Sequence, residues 1–180
     1  MTRNCGFAAI LLMAAAVPFF SAPLQAQVRI NKIDWQVSRV EGKDKLPFEP
    51  ILELKLEPYQ KYLNKFRALV NIQNSSAKPI EGLVLRCALS LHIVKIADAA
   101  DAGFWAVPFH VEELRVSRIR AGGVYDAKII HFVLNEQLKK LKNTGFWVDA
   151  LKLQVMLDPR LADEPSSIMK EAVINIKKPQ

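Results

Sequence analysis

The residues able to carry catalysis or bind a metal are few and widely spaced in this chain. The histidines and cysteines are Cys5, Cys87, His92, His110 and His131. Zinc ligands occur as closely spaced pairs of these residue types, and the chain contains none. Glu112 and Glu113 follow His110 closely enough to suggest a weak ion site, but two carboxylates at a strand edge are more commonly just solvated. We therefore expect no metal and no cofactor.

The sequence also lacks recognisable motifs for nucleophilic catalysis and for phosphate binding. No G-x-S-x-G segment is present, although that motif places the serine nucleophile in one large class of hydrolases. Seven glycines in 180 residues make a phosphate-binding loop improbable. A carboxylate pair for glycoside cleavage is defined by three-dimensional spacing, and no pair stands out. The sequence favours a non-catalytic protein, with a small hydrolase of unrecognised geometry as a remote alternative.

The segment Gly103–Phe109 concentrates large aromatic side chains next to a loop rich in Ala and Asp. Aromatic residues with polar neighbours are common anchors of protein interfaces. We predict partner-binding roles for Phe104, Trp105 and Phe109, with another protein as the expected partner. The alternative is that Trp105 enters the core where its strand begins.

Basic residues form two groups, and the chain carries a formal net charge of +7. The candidate anion-binding residues are Arg115, Arg118, Arg120, Lys139, Lys140 and Lys142. If both groups share one surface, that surface suits an anionic polysaccharide or lipid headgroup. Binding of nucleic acid requires more charge interleaved with stacking aromatics, so no nucleic-acid partner is expected. The alternative is that both groups are ordinary solvated faces.

Period-two alternation of apolar and polar residues dominates the rest of the chain and predicts β-strands with one buried face. The clearest example runs from Leu83 to Ile93. In 146–157 the apolar parity slips by one position, which predicts a β-bulge near Ala150 and Leu151. We predict seven or eight strands and one short helix at 136–143, with Asn135 as its N-cap and Gly145 just past its end.

The N-terminus has the order of a secretory signal peptide. A basic start is followed by the apolar run 6–20 and by the small-residue exit that ends at Ala26. We expect cleavage near Ala26 and a single domain over 27–180, with a retained membrane anchor as the alternative. Cys87 would then be the only remaining cysteine, either as a core residue or paired between chains.

One region resembles a known family. Val70–Ser76, followed by Pro79–Leu85, is similar to the B-turn-C region of bacterial extracytoplasmic immunoglobulin-like domains, including the FxLYD type. Ala121-Gly122-Gly123 resembles the glycine turn that precedes a later strand in those domains. The resemblance implies an all-β, immunoglobulin-like antiparallel β-sandwich that binds, spaces or assembles, and it transfers no catalytic residues.

Together these patterns predict an exported binding or assembly module, secreted or periplasmic. It is expected to contact another protein either through the loops around Phe104 and Trp105 or by pairing along an exposed edge strand. The alternative is a module that binds an anionic envelope polymer or lipid surface through its basic residues. Apart from that alternative, the chain is expected to meet the membrane only transiently, during export.

Overall fold

The computed structural model describes residues 28–41, 43–56, 64–96, 102–130, 134–141, 143–160 and 163–177. The expected signal peptide and its cleavage site lie outside these residues. The long strands are β1 (Val28–Ser38), β6 (Lys65–Asn74), β7 (Ile80–Lys95), β9 (His110–Ile119), β10 (Val124–Ile130), β11 (Phe146–Leu157) and β12 (Met169–Lys177). The short strands are β2 (Val40–Glu41), β3 (Asp44–Lys45), β4 (Glu49–Pro50), β5 (Glu53–Lys55) and β8 (Phe104–Trp105). The helices are α1 (Leu134–Lys140) and α2 (Pro165–Ile168).

Two sheets form the body of the molecule. One has four strands in the order β10-β6-β1-β4. The other has six, in the order β5-β12-β11-β7, and both β8 and β9 pair with the far side of β7. Strands β2 and β3 form a separate two-stranded ribbon. Every pairing between described strands is antiparallel except β12 with β5, which is parallel, so the six-stranded sheet is mixed.

The alternating pattern is what lets these sheets enclose a core. Strand β6 alternates strictly between half-buried and buried residues along its whole length, as a strand with one inward face must. Its Phe66 stacks on Trp35 of β1, with 5.0 Å between ring centroids and 8° between planes. The same core includes Leu85, Leu89 and Leu153 from the facing sheet. The prediction of an all-β sandwich is confirmed, but the described part has twelve strands, seven long and five short, where seven or eight were predicted.

The structure confirms the predicted bulge but corrects the predicted helix. The bulge is confirmed, because the pairing of β11 with β7 shifts between Val148 and Ala150. The helix lies at 134–140, earlier than predicted, because the buried Leu134 anchors its first turn. The N-cap prediction is therefore wrong, since Asn135 is the second residue of the helix. The one-turn helix α2 was not predicted, although Pro165 at its start is a favoured first residue.

The chain crosses from one sheet to the other at a corner built around Asn74, the last residue of β6. Asn74 is fully buried, at 0% exposure. Its Nδ2 donates to the carbonyl oxygens of Lys78 (2.8 Å) and Arg120 (3.0 Å). Its Oδ1 accepts from the backbone N–H of Ser76 at 2.9 Å. This one side chain therefore joins the β6–β7 turn to the β9–β10 turn.

Candidate interaction surface

The surface around β8 exposes three large apolar side chains close together in sequence. Phe104 is 57% exposed and Trp105 is 38% exposed. Val107, in the segment between β8 and β9, is 83% exposed. Consecutive residues of a strand point to opposite faces of the sheet, so Phe104 and Trp105 lie on opposite sides of this edge. We call Phe104, Trp105 and Val107 the β8 edge.

A close backbone approach fixes the position of β8. Gly103 lies so near β7 that an added Cβ would be 2.5 Å from Cε1 of His92 and 2.8 Å from the carbonyl oxygen of Ile93. Residue 103 must therefore lack a side chain for β8 to pair there. Beyond the pair His92–Trp105, the backbone N–H of Ala106 donates to the Leu91 carbonyl at 2.8 Å. The β8 edge is thus tied to the sheet rather than carried on a free loop.

A histidine–aspartate pair supports Trp105. The ring centroids of His92 and Trp105 are 4.9 Å apart, and the planes are tilted by 55°. Nδ1 of His92 lies 2.6 Å from Oδ1 of Asp149. Asp149 is the extra residue at the bulge of β11, and a bulge redirects the side chain it carries. Asp149 was not predicted from the sequence. The parity slip beside it was the available signal.

Lys152 completes the surroundings of the indole. Its Nζ lies 4.4 Å from the centroid of the Trp105 ring, within the range of a cation–π interaction. Lys152 pairs with Ser90, two residues from His92, so these side chains share the outer face of the six-stranded sheet. The arrangement holds the indole between a histidine ring and a lysine ammonium group.

The three predicted partner-binding residues do not form one patch. Phe109 is half-buried and packs against the hydrophobic core. Its backbone N–H donates to the Leu89 carbonyl at 3.0 Å. Phe109 therefore anchors the start of β9, whereas Phe104 and Trp105 remain at the surface.

The predicted anion-binding residues fall into two groups at opposite ends of the sandwich. Arg115, Arg118 and Arg120 lie on β9 or at its end, next to the turn into β10. Strand β10 then runs to the other end, where α1 carries the exposed Lys139 and Lys140. Lys142 lies outside the described residues. The two groups are therefore not brought together on one surface.

The arginine group is partly neutralised within the molecule. Nε of Arg118 lies 3.6 Å from Oε1 of Glu81. The neighbouring Arg86 contacts Glu113 at 3.2 Å and Asp158 at 3.0 Å. These pairs are solvent-exposed and contribute little to stability. They do reduce the positive field available to an anion at this end.

The remaining cysteine and histidine among the described residues are Cys87 and His110. Burial, with the nearby Glu112 carboxylate, raises the pKa of the Cys87 thiol to about 12. Such a thiol stays protonated and unreactive. Nε2 of His110 lies 3.2 Å from Oε2 of Glu112. Among the residues described, no group of three or more His, Cys, Asp or Glu side chains is placed to hold a metal ion.

No family model matches this chain, and no curated protein matches it either. Among solved structures, the crystal structure of Spo0M, a sporulation control protein from Bacillus subtilis, covers 81% of this chain at 16% sequence identity with a TM-score of 0.33. The chain spans 49% of that protein's length. A likeness this weak supports no inference about fold or function. Within the described residues, no helix is long and apolar enough to cross a membrane.

Proposed function

We propose that this chain is an exported, non-catalytic binding or assembly module that contacts another protein through the β8 edge. The observation that carries the proposal is the exposure of Phe104 and Trp105 on a strand locked against β7. Burying apolar area in a complex is favourable, at about 25 cal/mol per Å². The edge is already ordered, so a partner meets little further conformational cost.

The N-terminal sequence and the order of the strands support export and a family relationship. The basic start, apolar run and small-residue exit at 1–26 support export to the periplasm or exterior. The crossing from β6 to β7 between sheets supports an immunoglobulin-like relationship, because strands B and C also lie in different sheets in that fold. An FxLYD-type relationship rests on the resemblance at 70–85 alone.

The test is a pull-down from envelope extract with the purified protein, washed at low and at high salt. We expect one or more proteins to be captured at both salt concentrations, because apolar contacts are not screened by ions. Phe104→Ser and Trp105→Ala should abolish that capture. Met169→Ala is the matched control, since Met169 is an exposed apolar residue of the opposite part of the same sheet, and it should leave capture unchanged.

Two outcomes would count against the proposal. Capture that survives both β8-edge variants places the contact elsewhere. Capture at low salt only, lost when Lys139 and Lys140 are neutralised, supports binding to an anionic polymer or lipid surface instead. Each variant must first show the far-ultraviolet circular dichroism of the parent protein.

A further inference from the structure

Strand β9 forms an edge of the six-stranded sheet along its whole length. Nine of its ten residues, all but Ser117, pair with β7 on one side, and β7 is the only strand it pairs with in the part of the chain that the structure describes. An open strand edge presents N–H and C=O groups that another strand can pair with. Val111 on this strand is 67% exposed. The edge therefore has both backbone and side-chain groups available for pairing.

The outward side chains of β9 carry opposite charges two residues apart. Glu113 pairs across the ladder with Arg86, and Arg115 pairs with Val84. Arg86 and Val84 both alternate with the buried residues of β7, so Glu113 and Arg115 share the outer face of the sheet. Both are exposed.

Only one central register makes this strand complementary to itself. Two copies of β9 paired antiparallel about a two-fold axis keep their outer faces on the same side. With the axis at Leu114, Glu113 faces Arg115 of the other copy, and the contact occurs twice. Moving the axis to residue 113 or 115 sets two glutamates or two arginines against each other, and like charges directly opposite are destabilising.

We propose that the occupant of this edge is a second copy of the chain, paired antiparallel through β9 with the axis at Leu114. The half-buried Leu114 then meets its counterpart on the inner face at the axis. The inward carboxylate Glu112 is already engaged by His110 of its own strand. Residues 110–118 form the paired region, and β8 lies beyond it. The inference therefore stands apart from the proposed partner contact at the β8 edge.

The first test is engineered disulfide cross-linking of dilute purified protein. In the proposed register Val111 faces Ser117 of the other copy, within the Cα separation that a disulfide spans. The double variant Val111→Cys/Ser117→Cys should form a covalent dimer on oxidation. Each single variant and the parent should not, because two copies of residue 111 are then six positions apart. The native Cys87 is buried and does not compete.

The second test is charge exchange, read by sedimentation velocity over a range of concentrations. Glu113→Arg and Arg115→Glu should each weaken dimerisation at least about tenfold, because two attractive pairs become repulsive. The variant that carries both changes restores the pairing and should dimerise like the parent. Thermal unfolding of each variant shows whether the loss of the Arg86–Glu113 contact disturbs the protomer itself.

The proposal is overturned by a parent protein that remains monomeric at every concentration and does not cross-link as the double cysteine variant. It is also overturned by single cysteine variants that cross-link as well as the double, since that indicates random collision. A dimer that the combined charge variant fails to restore rules out this register. None of these results bears on capture of a partner by the β8 edge.

Discussion

The Asn74 corner and the β8 edge both lie where the chain passes the border of the six-stranded sheet. They differ in which kind of side chain is exposed to solvent. At the corner, a polar side chain turns inward and is 0% exposed. At the edge, Phe104 is left 57% exposed. A buried amide is tolerated only because its groups are hydrogen-bonded. An aromatic side chain left this exposed gains less from folding than a buried one, so the difference separates a place that maintains the fold from one available to a partner.

Replacing Asn74 should produce the largest loss of stability. Asn74→Ala removes the donor to the Lys78 and Arg120 carbonyls and the acceptor for the Ser76 N–H. Buried polar groups left without partners are costly, so we expect a loss of about 2–4 kcal/mol in the free energy of unfolding. Urea denaturation followed by tryptophan fluorescence measures it.

The matched control is Lys78→Ala in the same turn. The exposed Lys78 contributes its backbone carbonyl to the corner, and alanine keeps that carbonyl. Its effect should stay within about 0.5 kcal/mol. Equal effects of the two substitutions would mean that the amide does not hold the turns together.

Because Asn74 is buried, the Asn-Ser-Ser sequence at this corner should also carry no glycan in the folded protein.

Gly103→Ala should have the next largest effect, and it acts on the edge. The added Cβ meets the Ile93 carbonyl oxygen at 2.8 Å, and backbone cannot move aside as a flexible side chain can. We expect a loss of about 1–3 kcal/mol, typical of overpacking, together with loss of partner capture. Ala102→Ser, at the exposed neighbouring position, should leave both unchanged. Full stability in the Gly103 variant would show that β8 need not approach β7 so closely.

Removing the carboxylate beneath the edge should be milder. Asp149→Ala deletes the 2.6 Å contact with His92, which is partly open to solvent, so we expect a loss of about 1 kcal/mol. Asp149→Asn keeps an acceptor for the imidazole and should retain most of the stability. Denaturation curves give the free energies, and the change in tryptophan fluorescence between the variants reports on the surroundings of the indoles. If alanine and asparagine behave alike, the contact does not stabilise the edge.

The pattern of alternation determined much of this architecture because it depends only on neighbouring residues. The parity slip at Ala150 located the bulge correctly. The strand pairings that define the edge were not predictable in the same way. His92 and Asp149 meet across 57 positions of sequence. No local pattern encodes such a contact, so the support beneath Trp105 appeared only in the folded chain.

The role of Asn74 at the corner was likewise only partly predictable from the sequence. Asn-Ser-Ser predicts a turn, and a turn is present. Asn74 can be buried because its amide donates to the Arg120 carbonyl, 46 positions away. The importance of Asn74 for the fold therefore could not be predicted from the neighbouring residues. The aromatic segment was recognised from composition, but composition alone does not distinguish the exposed Phe104 from Phe109, which packs on the core.

Phe104→Ser should have the smallest effect on stability and, on the proposed function, a large effect on binding. More than half of the side chain is already in water, so we expect a loss below about 1 kcal/mol. Removing a central aromatic anchor typically costs an interface about 2 kcal/mol or more, roughly thirtyfold in affinity. Unfolding curves and a binding titration with the captured partner, run on the same preparation, separate the two quantities. A variant that loses stability but binds normally would place Phe104 with Asn74, as a residue of the fold rather than of the surface.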